Sequence, residues 1–265
     1  MKRTPSPLLA ADEAEPVSVR NAGGASPLLL VADHAGVASP RALGRLGVSA
    51  PEWQRHIAYD IGIAGLGDRL ADALDATLIR QNYSRLVIDC NRPLEAPTSI
   101  PEISELTPIP GNVGLSADAR AERARAIFVP YHQRIEAEIE SRRAAGRLAA
   151  LLALHSFTPS FKGQARPWHV ALLHNRDRRL ADRLIGLFKQ EPGLVVGDNE
   201  PYFVSDATDY TIPHHGEARG LPHVEIEIRQ DLVGDDAGQT EWAQRITRAL
   251  QDAERALLGN PPELN

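Results

Sequence analysis

Short apolar runs bounded by turn residues alternate along this chain with longer segments whose apolar residues recur at helical spacing, and that alternation leaves few folds open. "PLLLVADH" (27–34), "ATLIRQ" (76–81), "RLVIDC" (85–90), "RLAALLALHSF" (147–157), "PWHVALLHN" (167–175) and "LPHVEIEIRQDL" (221–232) read as strands. Between them, "EWQRHIAYDIGIAGLGDRLADAL" (52–74), a long segment over 117–146 with a proline at 130, "RRLADRLIGLFKQ" (178–190) and "TEWAQRITRALQDAERALL" (240–258) read as helices. Strands separated by helices imply an α/β fold whose mostly parallel sheet is covered on both faces. In such a sheet, ligands bind beyond the carboxyl ends of the strands.

At 265 residues, 43% of them apolar, the chain is long enough to bury a large core. The first fifteen residues read as a frayed tail, and 16–265 as one domain. No segment reaches the roughly 18 apolar residues of a membrane span. With a net charge of −6 and basic residues scattered among acidic ones, neither nucleic acid nor an anionic membrane is an expected partner. The lone cysteine, Cys90, excludes an intrachain disulfide and suits a reducing cytoplasm. The oligomeric state is left open.

The run "LLLVADHAGVASP" (28–40) ends a predicted core strand on Asp33 and His34, and "LLALHSFTP" ends another on His155. One such histidine is ordinarily a hydrogen-bonded strand cap. Two at equivalent strand ends point to a shared metal, because neutral imidazole is a common zinc ligand. A third ligand is offered by His56 or Asp60 in "HIAYDIG", and Asp60 stands in an apolar run where a carboxylate needs a compensating charge. "HVEIEIRQDL" alternates strictly, so Glu225, Glu227, Arg229 and Asp231 share one face; Glu225 or Glu227 is then a candidate proton carrier and Arg229 a candidate anion ligand. Arg85, Asn91 and Arg92 in "SRLVIDCNRP" are candidates for holding an acidic substrate. His132 in "PYH" and Asn199 in "GDNEPY" are further candidates for the cleft wall, and His214, His215 and His223 for a mobile lid.

The segments "VADHAGVASP", "HIAYDIG", "SRLVIDCNRP", "IPGN", "PYH", "LHSFTP", "RPWHVALL", "GDNEPY" and "HHGEARGLPHVEIEIRQDL", in this order, resemble the N-formylglutamate amidohydrolase family, in its shorter branch. That family is similar to the zinc carboxypeptidases and N-acetylmuramoyl-alanine amidases. The resemblance implies a single three-layer α/β/α sandwich around a mixed sheet, with zinc (or another divalent metal) on His34, Asp60 and His155 and Glu227 as the proton carrier. Position 37 is Val, so this chain lacks the carboxypeptidase pattern of His, two residues, then Glu. The implied reaction is hydrolysis of an N-formyl or other N-acyl amino acid, with a small peptidoglycan-type amide as an alternative substrate. Two rivals stand beside it: a non-catalytic binder of acidic small molecules, and a serine hydrolase built on Ser84 or Ser156, for which the chain lacks the Gly-x-Ser-x-Gly elbow.

Overall fold

Leu28–Ala32 is buried at every position. An element with two apolar faces needs cover on both sides, and the computed structural model, which describes residues 8–147 and 150–259, supplies it. The strands in chain order are β1 (Val17–Arg20), β2 (Leu28–Ala32), β3 (Thr77–Gln81), a small hairpin of β4 (Ile103–Ser104) and β5 (Thr107–Pro108), β6 (Ala150–Phe157), a second hairpin of β7 (Ser160–Phe161) and β8 (Gln164–Ala165), β9 (Val170–Leu173), β10 (Val196–Asp198) and β11 (His223–Arg229). The helices are α1 (Ala50–Trp53), α2 (Ile63–Leu74), α3 (Ala117–Arg123), α4 (Val129–Ala144), α5 (Arg179–Phe188) and α6 (Asp236–Gly259).

One seven-stranded sheet runs in the order β1-β3-β2-β6-β11-β9-β10. It is mixed and mostly parallel, with β1 antiparallel to β3 and β9 antiparallel to β11. Leu28, Leu30, Leu152, Leu154, Val224, Ile226 and Ile228 pack on one face against α2, α5 and α6. Leu29, Val31, Leu151 and Ala153 pack on the other, against the helical run that ends in α4. The result is the expected α/β/α layering. Because β2, β6 and β11 are adjacent and parallel, their carboxyl ends meet at one rim.

Several local expectations are corrected. "RLVIDC" is not a strand: residues 84–91 form a buried turn-rich loop, held by Ser84 N on Ala38 O (2.7 Å) and Arg85 N on Ala58 O (3.2 Å). The helix expected over 52–74 is two helices, and the turn between them carries both His56 and Asp60. Gly62 ends that turn at φ 83°, where a β-carbon would lie 2.1 Å from Val233 O, so no other residue fits. The single helix expected over 117–146 is α3, a π-turn at Ala124–Phe128 and then α4, which starts around Pro130. Residues 8–15 are not a loose tail, since Leu8 is buried and the Tyr83 hydroxyl donates to Ala14 O at 2.7 Å. Residues 1–7 lie outside the described residues.

Candidate active site

Both strand-end histidines arrive at the same point. Asp33 and His34 follow β2 directly, and His155 lies near the end of β6. The Asp60 N–H donates to His34 O at 2.8 Å, which ties the turn after α1 to the β2 end and swings the Asp60 side chain between the two imidazoles. Asp60 Oδ2 is 2.9 Å from His155 Nδ1 and 3.6 Å from His34 Nδ1. Ligand atoms of His34, Asp60 and His155 all lie within 4.8 Å of one another, and the three residues are buried.

Each imidazole uses its other nitrogen on a carboxylate: His34 Nε2 on Asp89 Oδ1 at 2.7 Å, and His155 Nε2 on Asp33 Oδ2 at 3.1 Å. That pattern fixes the tautomer and ring orientation of a metal-ligating histidine. Arg85 completes the frame, with Asp89 at 2.6 Å and Asp60 at 3.5 Å. Neither Asp33 nor Asp89 was legible as a histidine partner, because each serves an imidazole delivered by a different strand.

The residues fit a zinc ion. His34 Nδ1 is buried and has no hydrogen-bond partner, so one lone pair or proton in the cluster is unanswered by the protein. Two ligands about 2.0–2.1 Å from a tetrahedral zinc lie ~3.4 Å apart, which the 2.9 and 3.6 Å separations bracket. Two neutral histidines and one carboxylate are also a donor set that zinc accepts, with a fourth position left open.

Glu225 and Glu227 face the same rim from β11. That strand is interior, paired with β6 on one side and β9 on the other, so the carboxylates are not on a solvated edge. Glu227 is the register partner of His155, and Glu225 of Ala153. Burial pushes the Glu227 carboxyl up to about 7, with the His155 charge opposing and Asp60 adding. Burial likewise takes Glu225 to about 8. Asp33 is held at about 2: burial would raise it, but its hydrogen bond to His155 and the charges of both histidines outweigh that. Burial and Arg85 oppose each other at Asp89, and Arg85 wins, leaving it well below the usual carboxylate range.

His34, Asp60, Arg85, His155, Glu225 and Glu227 line a cavity of about 360 Å³ together with Asn91, Arg92, Tyr202, Phe203 and Asp209. Asn91 Nδ2 reaches Asp209 and Glu225, each at 3.4 Å, and Arg92 Nη1 donates to Thr208 O (2.5 Å) and Asp209 (3.3 Å). Arg85, Asn91 and Arg92 are therefore where the sequence suggested, while three other candidates are not. Arg229 turns out of the sheet end and pairs with Asp231 at 2.8 Å. His132 is locked between Cys90 O and His215, both at 2.9 Å. Asn199 accepts from His174 N at 2.9 Å. None of the three lines the cavity. His56 does, beside Glu105 at 3.6 Å, but stands outside the His34–Asp60–His155 cluster. His215 and His223 are fully buried and form no lid. Ser84 and Ser156 donate to Ala58 O and Ile61 O and have no histidine base, which removes the serine-hydrolase reading.

A histidine–carboxylate centre capable of holding a metal thus lies at the strand ends of a mixed α/β sheet, with a glutamate facing it. The sequence matches the N-formylglutamate amidohydrolase family over residues 26–234, and the chain belongs to that family. It is similar to the gene product Atu2144 of Agrobacterium tumefaciens, with 36% identity, 95% of this chain and 99% of that one covered, and a TM-score of 0.91. It is also similar in fold to an N-formylglutamate amidohydrolase of Ralstonia eutropha JMP134, with 22% identity, 93% and 100% coverage, and a TM-score of 0.68. No curated protein matches the sequence. Among the described residues, no helix is long and apolar enough to cross a membrane.

Proposed function

We propose that this amidohydrolase is zinc-dependent and cleaves the amide of an N-formyl amino acid of the N-formylglutamate type, as a single domain acting in the cytoplasm. The observation that carries the reading is the convergence of His34, Asp60 and His155 opposite Glu227 at one cavity. A zinc ion on the first three supplies Lewis acidity toward the amide carbonyl and toward water. Asp33 and Asp89 fix the tautomer and aim of the imidazoles. Glu227, whose Oε2 is buried without a partner, takes the proton from the attacking water and returns it to the leaving nitrogen. The C–N bond breaks, and formate and a free amino acid result. Arg92 uses Nη1 on protein oxygens, which leaves the rest of its fork for the substrate's α-carboxylate.

A longer acyl group is the second reading, favoured by the size of the cavity and by the 64% exposed Phe203 at its wall. Free amine released from N-formyl and N-acetyl amino acids, by chelated and then zinc-reconstituted protein, tests both. Release from N-formyl substrates that appears only on reconstitution is the expected result. Equal activity in the chelated protein, or none on any substrate, overturns the reading.

A further inference from the structure

A side-chain amide carries two acceptor lone pairs and two N–H donors. Asn91, in the cavity wall, uses both sets within the chain. Its Oδ1 accepts from Tyr210 N at 3.1 Å and from Thr211 N at 3.0 Å. Its Nδ2 reaches Asp209 Oδ1 and Glu225 Oε2, each at 3.4 Å. Backbone N–H groups can only donate, so the amide cannot be turned the other way round. The residue is 2% exposed, and every hydrogen-bonding place on its side chain is filled before a substrate arrives.

These bonds lead to both histidines of the cluster. Asn91 N donates to Asp89 Oδ1 at 2.9 Å, and the same oxygen takes His34 Nε2 at 2.7 Å. On the other side, Thr211, whose N–H rests on Asn91 Oδ1, donates its hydroxyl to Asp33 Oδ1 at 2.7 Å. Asp33 Oδ2 in turn takes His155 Nε2 at 3.1 Å. Thr211 belongs to no strand of the sheet, so side-chain bonds in place of a backbone ladder hold it against Asp33. Asn91, Thr211, Asp33 and Asp89 are all buried, where linked hydrogen bonds strengthen one another and the loss of one is felt by the next.

We propose that Asn91 is a positioning residue and not a substrate ligand: it joins the His34–Asp89 and His155–Asp33 pairs into one frame, through its own N–H on one side and through the Thr211 hydroxyl on the other. This rests on the metal centre of the reading above and adds what sets the aim of its two imidazoles together. Aspartate could not replace it, because a carboxylate has no N–H for Asp209 and Glu225 and would add a negative charge beside them.

The test measures zinc affinity of the full chain by competition with a chelator, beside steady-state kinetics on N-formyl-L-glutamate. Asn91→Ala should weaken zinc binding ~10- to 100-fold and Thr211→Val ~3- to 30-fold, while KM of the zinc-saturated variants stays within about twofold. Thr211→Ser keeps the hydroxyl and should stay within about twofold of the wild type. The double variant Asn91→Ala with Thr211→Val should lose less than the product of the two single losses, because both act on Asp33 by one route. A raised KM at unchanged zinc affinity in Asn91→Ala would make the residue a substrate ligand and overturn the proposal. Equal losses in Thr211→Val and Thr211→Ser, or independent effects in the double variant, would overturn it too. If Asn91→Ala does not fold, the two Thr211 variants decide. If the wild type binds zinc but hydrolyses nothing, the functional reading has failed and the zinc affinities still decide about Asn91. If it binds no zinc, ring-nitrogen NMR shifts of His155 decide: a changed tautomer in Thr211→Val supports the frame, and an unchanged one refutes it.

Discussion

Glu227 on β11 is the direct register partner of His155 on β6, in the interior of a seven-stranded sheet. A carboxylate and an imidazole are thereby held side by side by the backbone ladder itself, one pleat from Glu225 and the methyl group of Ala153. Rigid strands position reacting groups more tightly than loops do.

Glu227→Gln should retain zinc and substrate affinity while kcat falls ~10²- to 10⁴-fold, the range of a lost proton carrier. Glu225→Gln, which keeps a hydrogen-bonding group beside Asn91 Nδ2, should cost ~10-fold or less. Steady-state kinetics on both variants checks the assignment, and the reverse ranking moves the role to Glu225.

Metal content distinguishes the ligands. His34→Ala and His155→Ala should contain less than about a tenth of an equivalent of zinc after dialysis, and Asp60→Asn should lose far more than His56→Ala, which removes a residue outside the cluster. Elemental analysis beside circular dichroism reads this. Stoichiometric zinc in His155→Ala would refute the ligand set.

The carboxylates behind the histidines act at one remove. Asp33→Asn and Asp89→Asn should each weaken zinc affinity ~10- to 100-fold, measured by competition with a chelator, while the cluster geometry stays. Asp89→Asn should also destabilise the fold more, because it leaves Arg85 with only the 3.5 Å contact to Asp60.

His132 and His215 make the fold acid-sensitive. Burial lowers them to about 4 and about 2, below an ordinary histidine. Between pH 6.5 and 4 the unfolded chain binds protons at these positions and the folded one does not, so stability from this pair falls as pH falls. Each histidine contributes a slope of up to about 1.4 kcal/mol per pH unit. Other buried groups titrate in the same window, so the comparison is differential: in urea titrations, His215→Gln should show that much less loss per unit than the wild type. Parallel slopes would refute it.

A backbone prediction concerns Gly62. With φ at 83° and Val233 O in the place of a β-carbon, Gly62→Ala should destabilise by more than ~1 kcal/mol and displace Asp60 two residues away, so zinc affinity should drop with the urea midpoint. A variant with normal stability and zinc content would show that the turn tolerates a side chain.

Much of the architecture was legible in the chain. Unbroken apolar runs such as Leu28–Ala32 have no polar face to expose, so they demand a two-sided, covered sheet. The alternation in His223–Arg229 likewise determined that Glu225 and Glu227 share a face opposite Val224 and Ile226. His34 and His155 at strand ends, with Asp60 nearby, were readable because strand direction and period alone send them to one rim. Where local propensity was the sole guide, it failed. "RLVIDC" has the composition of a strand, but its backbone bonds go to Ala58 and Ser99 and it forms a loop. His56 and Asp60 have helical spacing, yet Gly62 imposes a turn there.

Only the tertiary structure decided which group answers which. Asp33 adjoins His34 in sequence but bonds His155, 122 positions away, while His34 takes Asp89 from a loop 55 positions on. Arg229 shares a strand face with Glu227 in the pattern, but at the strand's last residue it pairs with Asp231 instead. Arg166, which follows a short hairpin without periodicity, lies over two rings, one of them 36 residues further along. Periodicity is a property of neighbours along the chain, so the sequence carries the faces and ends of its elements. Partnership among buried charges depends on distances across elements, and those exist only once the layers have closed.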